Sequence, residues 1–195
     1  DIMKFIEKEN RLLRPKNLFE PAPGKGFEIY TTTENKKIGV LNLMGNVFMK
    51  KCDDVFEVAE KFMNKYKLKE DYDFLIVDFH GEATSEKMAM GHWCDGRASL
   101  MVGTHTHVPT SDAMILPKGC GYLSDAGMCG NYNSVIGMQR DEPLRRFITG
   151  MPKERFIPAL GDATLSGVYI ETDNDGHAQR IEMVRQGGLL QQSGP

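Results

Sequence analysis

The chain has 195 residues, 41% of them hydrophobic and 26% charged, with a net charge of −3 and a pI near 6.0. This is enough for one well-packed domain and argues against disorder or a fibrous class. Scattered lysines and arginines give no footprint for duplex nucleic acid, and no apolar run approaches the roughly 18 residues of a membrane helix.

The chain opens at Asp1 on an amphipathic stretch carrying Ile2, Phe5, Ile6, Leu12 and Leu13, expected to be helical as far as Arg14-Pro15. Phe27 to Thr32 and Lys37 to Leu43 are β-rich runs around Glu34-Asn35-Lys36 and predict a hairpin. Asp53 to Tyr66 spaces Val55, Phe56, Ala59, Phe62 and Met63 by threes and fours, which predicts a helix capped by Asp53 or Asp54. Tyr72 to Phe79 is a nearly continuous apolar run, expected to be a parallel strand buried on both faces, with His80 at its carboxyl end.

Thr84 to Asp95-Gly96 predicts a helix, and Ser99 to Val102 the next strand, so that strand, helix and strand form a βαβ unit. Ala113 to Leu116, Gly121 to Ser124, Arg155 to Ala159, Leu165 to Glu171 and Ala178 to Val184 read as short strands. Glu142 to Thr149 reads as a short helix, and Asn174-Asp175-Gly176 as the turn of a hairpin. The expected organisation is a single domain over residues 1–186 followed by a disordered polar tail at 187–195. Cys52, Cys94, Cys120 and Cys129 have no C-x-x-C spacing, and no secretion signal is visible, so they are expected to be reduced thiols of a cytoplasmic protein.

In a βαβ unit both strands end at one edge of the sheet, where ligands of α/β proteins gather. That edge is expected to receive His80 from one strand and Thr104-His105-Thr106-His107 from the next. Imidazole is a common ligand for borderline divalent metals, so His80, His105 and His107 are the candidate ligand set, with Asp78, Glu82 and Asp125 as carboxylates that could be recruited. His92 and His177 are expected to be ordinary hydrogen-bonding residues. Three imidazoles can hold one zinc and leave a place for water; a two-metal site normally needs more oxygen ligands.

Asp78-Phe79-His80-Gly81-Glu82-Ala83-Thr84-Ser85-Glu86-Lys87, Asp95-Gly96-Arg97, Gly103-Thr104-His105-Thr106-His107-Val108 and Ile115-Leu116-Pro117-Lys118-Gly119 occur in this order. Together these blocks resemble the YmdB-like phosphodiesterases of the calcineurin-like metallophosphoesterase superfamily. The resemblance runs from about Arg14-Pro15-Lys16-Asn17 to about Glu182. It implies an α/β sandwich with two divalent metal ions, iron, manganese or zinc, hydrolysing phosphodiesters and notably 2′,3′-cyclic nucleotides. In it the residues matching His80 and His105 hold one metal and the residue matching His107 holds the other.

The family's N-terminal aspartate, its Gly-Glu-Asn segment and its Gly-Asn-His segment, which carries the general-acid histidine, have no counterpart here. The resemblance therefore implies that they lie upstream of Asp1, that the sandwich is incomplete on its N-terminal side, and that the chain alone is inactive. The implied chemistry is attack by metal-activated hydroxide on phosphorus, with a small phosphodiester or cyclic nucleotide as partner and a homo-oligomer left open. Two alternatives stand beside it: a complete mononuclear His₃ hydrolase, and a non-catalytic interaction module that has lost the metal centre.

Overall fold

A computed structural model describes residues 2–19 and 21–195. Asp1, the first residue of the expected helical stretch, lies outside the described residues. The opening helix is shorter than expected. α1 covers Ile2–Ile6 and ends in turns, where the Glu9 carboxylate accepts from the Arg11 amide and guanidinium in place of further helical bonds.

β1 (Phe27–Thr31) and β2 (Lys37–Met44) form the expected antiparallel hairpin. α2 (Val55–Lys65) starts at Asp54, whose carboxylate accepts from the Glu57 amide at 2.8 Å and so satisfies one of the orphan donors of the first turn. β3 (Phe74–His80), α3 (Thr84–Cys94) and β4 (Leu100–Thr104) are the βαβ unit, with β3 and β4 parallel. β5 (Met114–Ile115) and β6 (Gly121–Leu123) follow, then α4 (Asp141–Thr149) and the hairpin of β7 (Leu165–Thr172) and β8 (Ala178–Gln186).

The six-stranded sheet has the order β1-β2-β3-β4-β6-β5, and β2, β3, β4 and β6 run parallel. This is the expected α/β class. Leu41, Leu43, Leu75, Val77, Phe79 and Met101 project from one face of the sheet into a core closed by Val55, Ala59, Phe62 and Met63 of α2 and by Met90 and Cys94 of α3. The apolar stripe of α2 and the alternation in the strands therefore meet in one layer.

The other face is covered unevenly. At its β6 end the β7–β8 hairpin packs on it, placing Ile170 and Ile181 against Gly121, where a Cβ would lie 2.6 Å from Ile170 Cδ1. Toward β2 and β3 that covering stops. β3 is accordingly not buried on both faces: Leu75, Val77 and Phe79 are buried, whereas Phe74, Ile76, Asp78 and His80 are half-buried. A continuous apolar run can also mark a strand with one covered face, because Phe74 and Ile76 border an open groove of about 480 Å³ with Ile38, Lys69 and Thr172.

The expected strand at Arg155–Ala159 is a single bridge. Met138 pairs with Pro158, flanked by bonds from Gln139 N–H to Ile157 O and from Ala159 N–H to Gly137 O. A proline has no N–H to extend such a ladder. With a second bridge between Gly130 and Thr164, residues 130–164 form an arm with α4 near its tip. α4 buries only Pro143 and leaves Leu144, Phe147 and Ile148 exposed. Residues 187–195, expected as a disordered tail, turn at Gly187 and Gly188 so that Arg185 and Ser193 exchange two backbone bonds. The four cysteines are free thiols, and no described helix is long and apolar enough to cross a membrane.

Two outcomes are expected. In urea denaturation Leu75→Ala costs roughly 2–5 kcal/mol, and Ile76→Ala clearly less, since only Leu75 is enclosed. In the arm, the Lys153 amide and the Arg146 guanidinium hold the Glu142 carboxyl down at about 2, below its ordinary value of 4.5. A depressed carboxylate stabilises above its unfolded pKa, so the Lys153 amide stays protected from hydrogen exchange at neutral pH. That protection falls as pH drops from about 4.5 through about 2, and Glu142→Gln removes the pH dependence.

Candidate metal centre

Parallel register delivers the site. His80 is the last residue of β3 and lies opposite Thr104, the last of β4, so both face the half-covered side at the carboxyl edge. The β4 end comes unusually close to the β6 end. A Cβ on Gly103 would sit 1.8 Å from the Ser124 carbonyl oxygen, so only glycine fits there.

The structure brings His80 and His105 together. His80 Nε2 and His105 Nδ1 are 3.2 Å apart, and the rings are tilted by 77° with centroids 4.9 Å apart. The second ring nitrogen of each is also engaged: His80 Nδ1 is 3.0 Å from Thr104 Oγ1, and His105 Nε2 is 2.7 Å from Glu82 Oε2. The Thr104 hydroxyl points in turn to Asp78 Oδ1 at 3.4 Å, while Asp78 Oδ2 accepts from Asn42 Nδ2 at 2.6 Å. Burial pushes the Asp78 carboxyl up, partly offset by the Asn42 bond. Burial, then the neighbouring His105, pushes the His80 imidazole down toward its neutral form.

Counting protons shows what this pair can do. A carboxylate only accepts, so His105 donates to Glu82 from Nε2 and keeps a lone pair on Nδ1. With the Thr104 hydroxyl donating to Asp78, His80 donates to Thr104 from Nδ1 and keeps its lone pair on Nε2. In that tautomer two lone pairs face one another across 3.2 Å, a repulsion that a cation bound by both nitrogens would relieve. Two imidazole nitrogens at ordinary metal distances in a tetrahedral shell are ~3.3 Å apart, so the pair fits one divalent ion. Moving the single Thr104 proton onto the His80 bond instead lets His80 donate to His105 and closes the network without a cation. The pair is therefore set between two states by one hydroxyl.

His107 stands apart. Its Nδ1 is 2.9 Å from the Ile136 carbonyl oxygen and donates to it, which leaves Nε2 as a lone pair on an exposed ring. No contact joins it to His80 or His105, and among the described residues no three His, Cys, Asp or Glu side chains converge closely enough to hold an ion. His105 and His107 both have positive φ, 142° and 65°. Such backbone costs on the order of 1–3 kcal/mol per residue and persists where the surroundings over-determine it.

Of the three carboxylates considered, Glu82 touches His105, Asp78 reaches His80 through Thr104, and Asp125 is buried beneath the loop on Lys87 and Thr106. His92 is exposed on α3, and His177 packs its Cβ near Gly119 in the β7–β8 hairpin. Sequence reasoning missed Thr104, Asn42 and the Ile136 carbonyl. A hydroxyl residue opposite a strand-end histidine was the available signal for the first; a backbone carbonyl leaves none.

The family model described as "YmdB-like protein" matches residues 1–184. The chain is 45% identical over 185 residues to a 2′,3′-cyclic-nucleotide 2′-phosphodiesterase of Bacillus subtilis (strain 168), covering 94% of this chain and 69% of that protein. It resembles the crystal structure of a hypothetical protein from Thermus thermophilus with a TM-score of 0.87 and 37% identity, covering 96% of this chain and 71% of that one. The structure of a novel phosphatase from Mycoplasma pneumoniae gives a TM-score of 0.83 and 35% identity, with 95% and 66% covered. The chain thus spans about two thirds of the length of these relatives.

The fold, the edge on which the imidazoles stand and the named relatives define an enzyme of the metallophosphoesterase type. Within that class the chain belongs to the YmdB-like family.

The Thr104 proton gives a direct test. In the metal-free chain, ¹⁵N spectra of the histidine side chains are expected to show His80 protonated on Nε2, where it donates to His105, and added zinc should move the proton to Nδ1. Thr104→Val removes the acceptor for the Nδ1 proton and should weaken that zinc-driven shift.

Proposed function

We propose that the His80–His105 edge is part of a metal-dependent phosphodiesterase centre acting on small phosphodiesters, 2′,3′-cyclic nucleotides in particular. The observation that supports this best is the pair of imidazole nitrogens facing each other across 3.2 Å, in a chain 45% identical to an enzyme with that named substrate. In this reading His80 Nε2 and His105 Nδ1 hold one divalent ion, and the free Nε2 of His107 serves a second. Iron, manganese and zinc all accept imidazole. Bound there, the ions would acidify a water nucleophile and offset charge building up on the phosphoryl oxygens.

The chain's own residues orient and balance these donors. Thr104 and Asp78 hold the His80 ring, Glu82 draws the His105 proton to its outer nitrogen, and the Ile136 carbonyl does the same for His107. With a net charge of −3 and no basic cluster, attraction for an anionic substrate falls to the ions. No described carboxylate bridges His107 to the pair, so further ligands and the general acid come from residues other than these. Free thiols accord with a reducing compartment such as the cytoplasm.

The test is hydrolysis of 2′,3′-cyclic AMP and of bis(p-nitrophenyl) phosphate by the full natural protein, with manganese and with a chelator. Turnover should require the metal, and His105→Ala should lower it by more than about 100-fold, since even outer partners of metal ligands are worth 10–100-fold. Turnover that persists in chelator, or that ignores His105→Ala, overturns the reading.

A further inference from the structure

Beneath the histidine loop lies an ion pair that the chemistry above does not use. Lys87 of α3 and Asp125, just beyond β6, are both about 1% exposed, with Nζ and Oδ2 3.1 Å apart. Asp125 Oδ2 also accepts the Thr106 amide at 2.9 Å, and Oδ1 accepts the Gly127 amide at 2.9 Å. Thr106 sits between His105 and His107, both of which have positive φ. On the other loop, Met128 N–H donates to the His107 carbonyl at 3.3 Å and Ala126 N–H to the Gly103 carbonyl at 2.9 Å. One carboxylate therefore joins the loops after β4 and β6, and its countercharge comes from the helix that follows His80.

We infer that Lys87 and Asp125 are positioning residues: the buried pair fixes the Thr106 amide, and through it the strained backbone that aims His105 and His107. The inference rests on the proposed role of those histidines. A buried ion pair gains little over a well-packed apolar pair, because the cost of removing both charges from water absorbs much of the attraction. What an apolar pair cannot reproduce is direction, an acceptor aimed at two amides of two loops. Space for it is reserved in the backbone: a Cβ on Gly103 would press on Lys87 Cδ at 3.0 Å as well as on Ser124. The pair reaches the proposed ligands through backbone, at Thr106 and along the 126–128 segment that bonds the Gly103 and His107 carbonyls, and not by contact with their rings.

The experiment compares the full natural protein with Lys87→Met/Asp125→Leu and with Asp125→Asn, each at a temperature where its circular dichroism shows it folded. Two quantities are read: hydrogen exchange of the Thr106 amide without metal, and zinc affinity by competition titration. The double variant is expected to keep a melting midpoint close to that of the parent, lose Thr106 protection at least 10-fold, and bind zinc roughly 10–100-fold more weakly, the usual effect of removing an outer partner. Asp125→Asn keeps one acceptor oxygen for two amides and should expose Thr106 or Gly127 while Val77 stays protected.

A folded double variant that retains Thr106 protection and zinc affinity overturns the inference and reduces the pair to a stability element. If the double variant does not fold, Asp125→Asn decides on the same two readouts. Should the parent bind no zinc, the metal reading falls by itself, and Thr106 exchange still decides whether the pair positions the loop.

Discussion

The parallel pairing of β3 with β4 is the constraint on which the site depends, because it sets His80 opposite Thr104 at one edge. Side chains alternate along a strand, so a slip of one residue would turn His80 toward the helices and a core residue toward solvent. That slip is prevented far from the histidines. Leu75, Val77 and Phe79 are enclosed on the helix-facing side, and exposing them would cost far more than any polar contact at the edge returns. Apolar packing thereby decides which way the imidazole points.

Once placed, the donors are governed by proton counting rather than by proximity. Each candidate ligand has an outer nitrogen committed to an oxygen: Thr104 for His80, Glu82 for His105 and the Ile136 carbonyl for His107. These oxygens come from β4, from the loop after β3 and from the arm at 130–164. Ring orientation is thus distributed over three segments distant in sequence, while the ring nitrogens facing inward belong to two adjacent strand ends.

Much of this was legible in the sequence. The helical stripe at 55–63, the βαβ unit and the strand-end positions of His80 and His105 follow from period and spacing, and the structure has them where expected. The apolar run of β3 could not reveal that one face is half open, since Phe74 and Ile76 read the same whether covered or not. Nor could spacing show that His107, two residues from His105, turns to Ile136; that follows from a positive φ on a non-glycine residue. Asp125 had the right chemistry for a ligand but a different use, because its partner Lys87 is 38 residues away and visible only in three dimensions.

The alternation along β3 has one more consequence, for anyone wishing to alter this protein. Its odd-numbered residues answer to the core and its even-numbered ones, Ile76, Asp78 and His80, to the open side. The two sets share a backbone but few neighbours, so they can be varied as independent libraries. Chemistry at this edge can be retuned, by selection or in the laboratory, without renegotiating the packing that keeps the sheet in register.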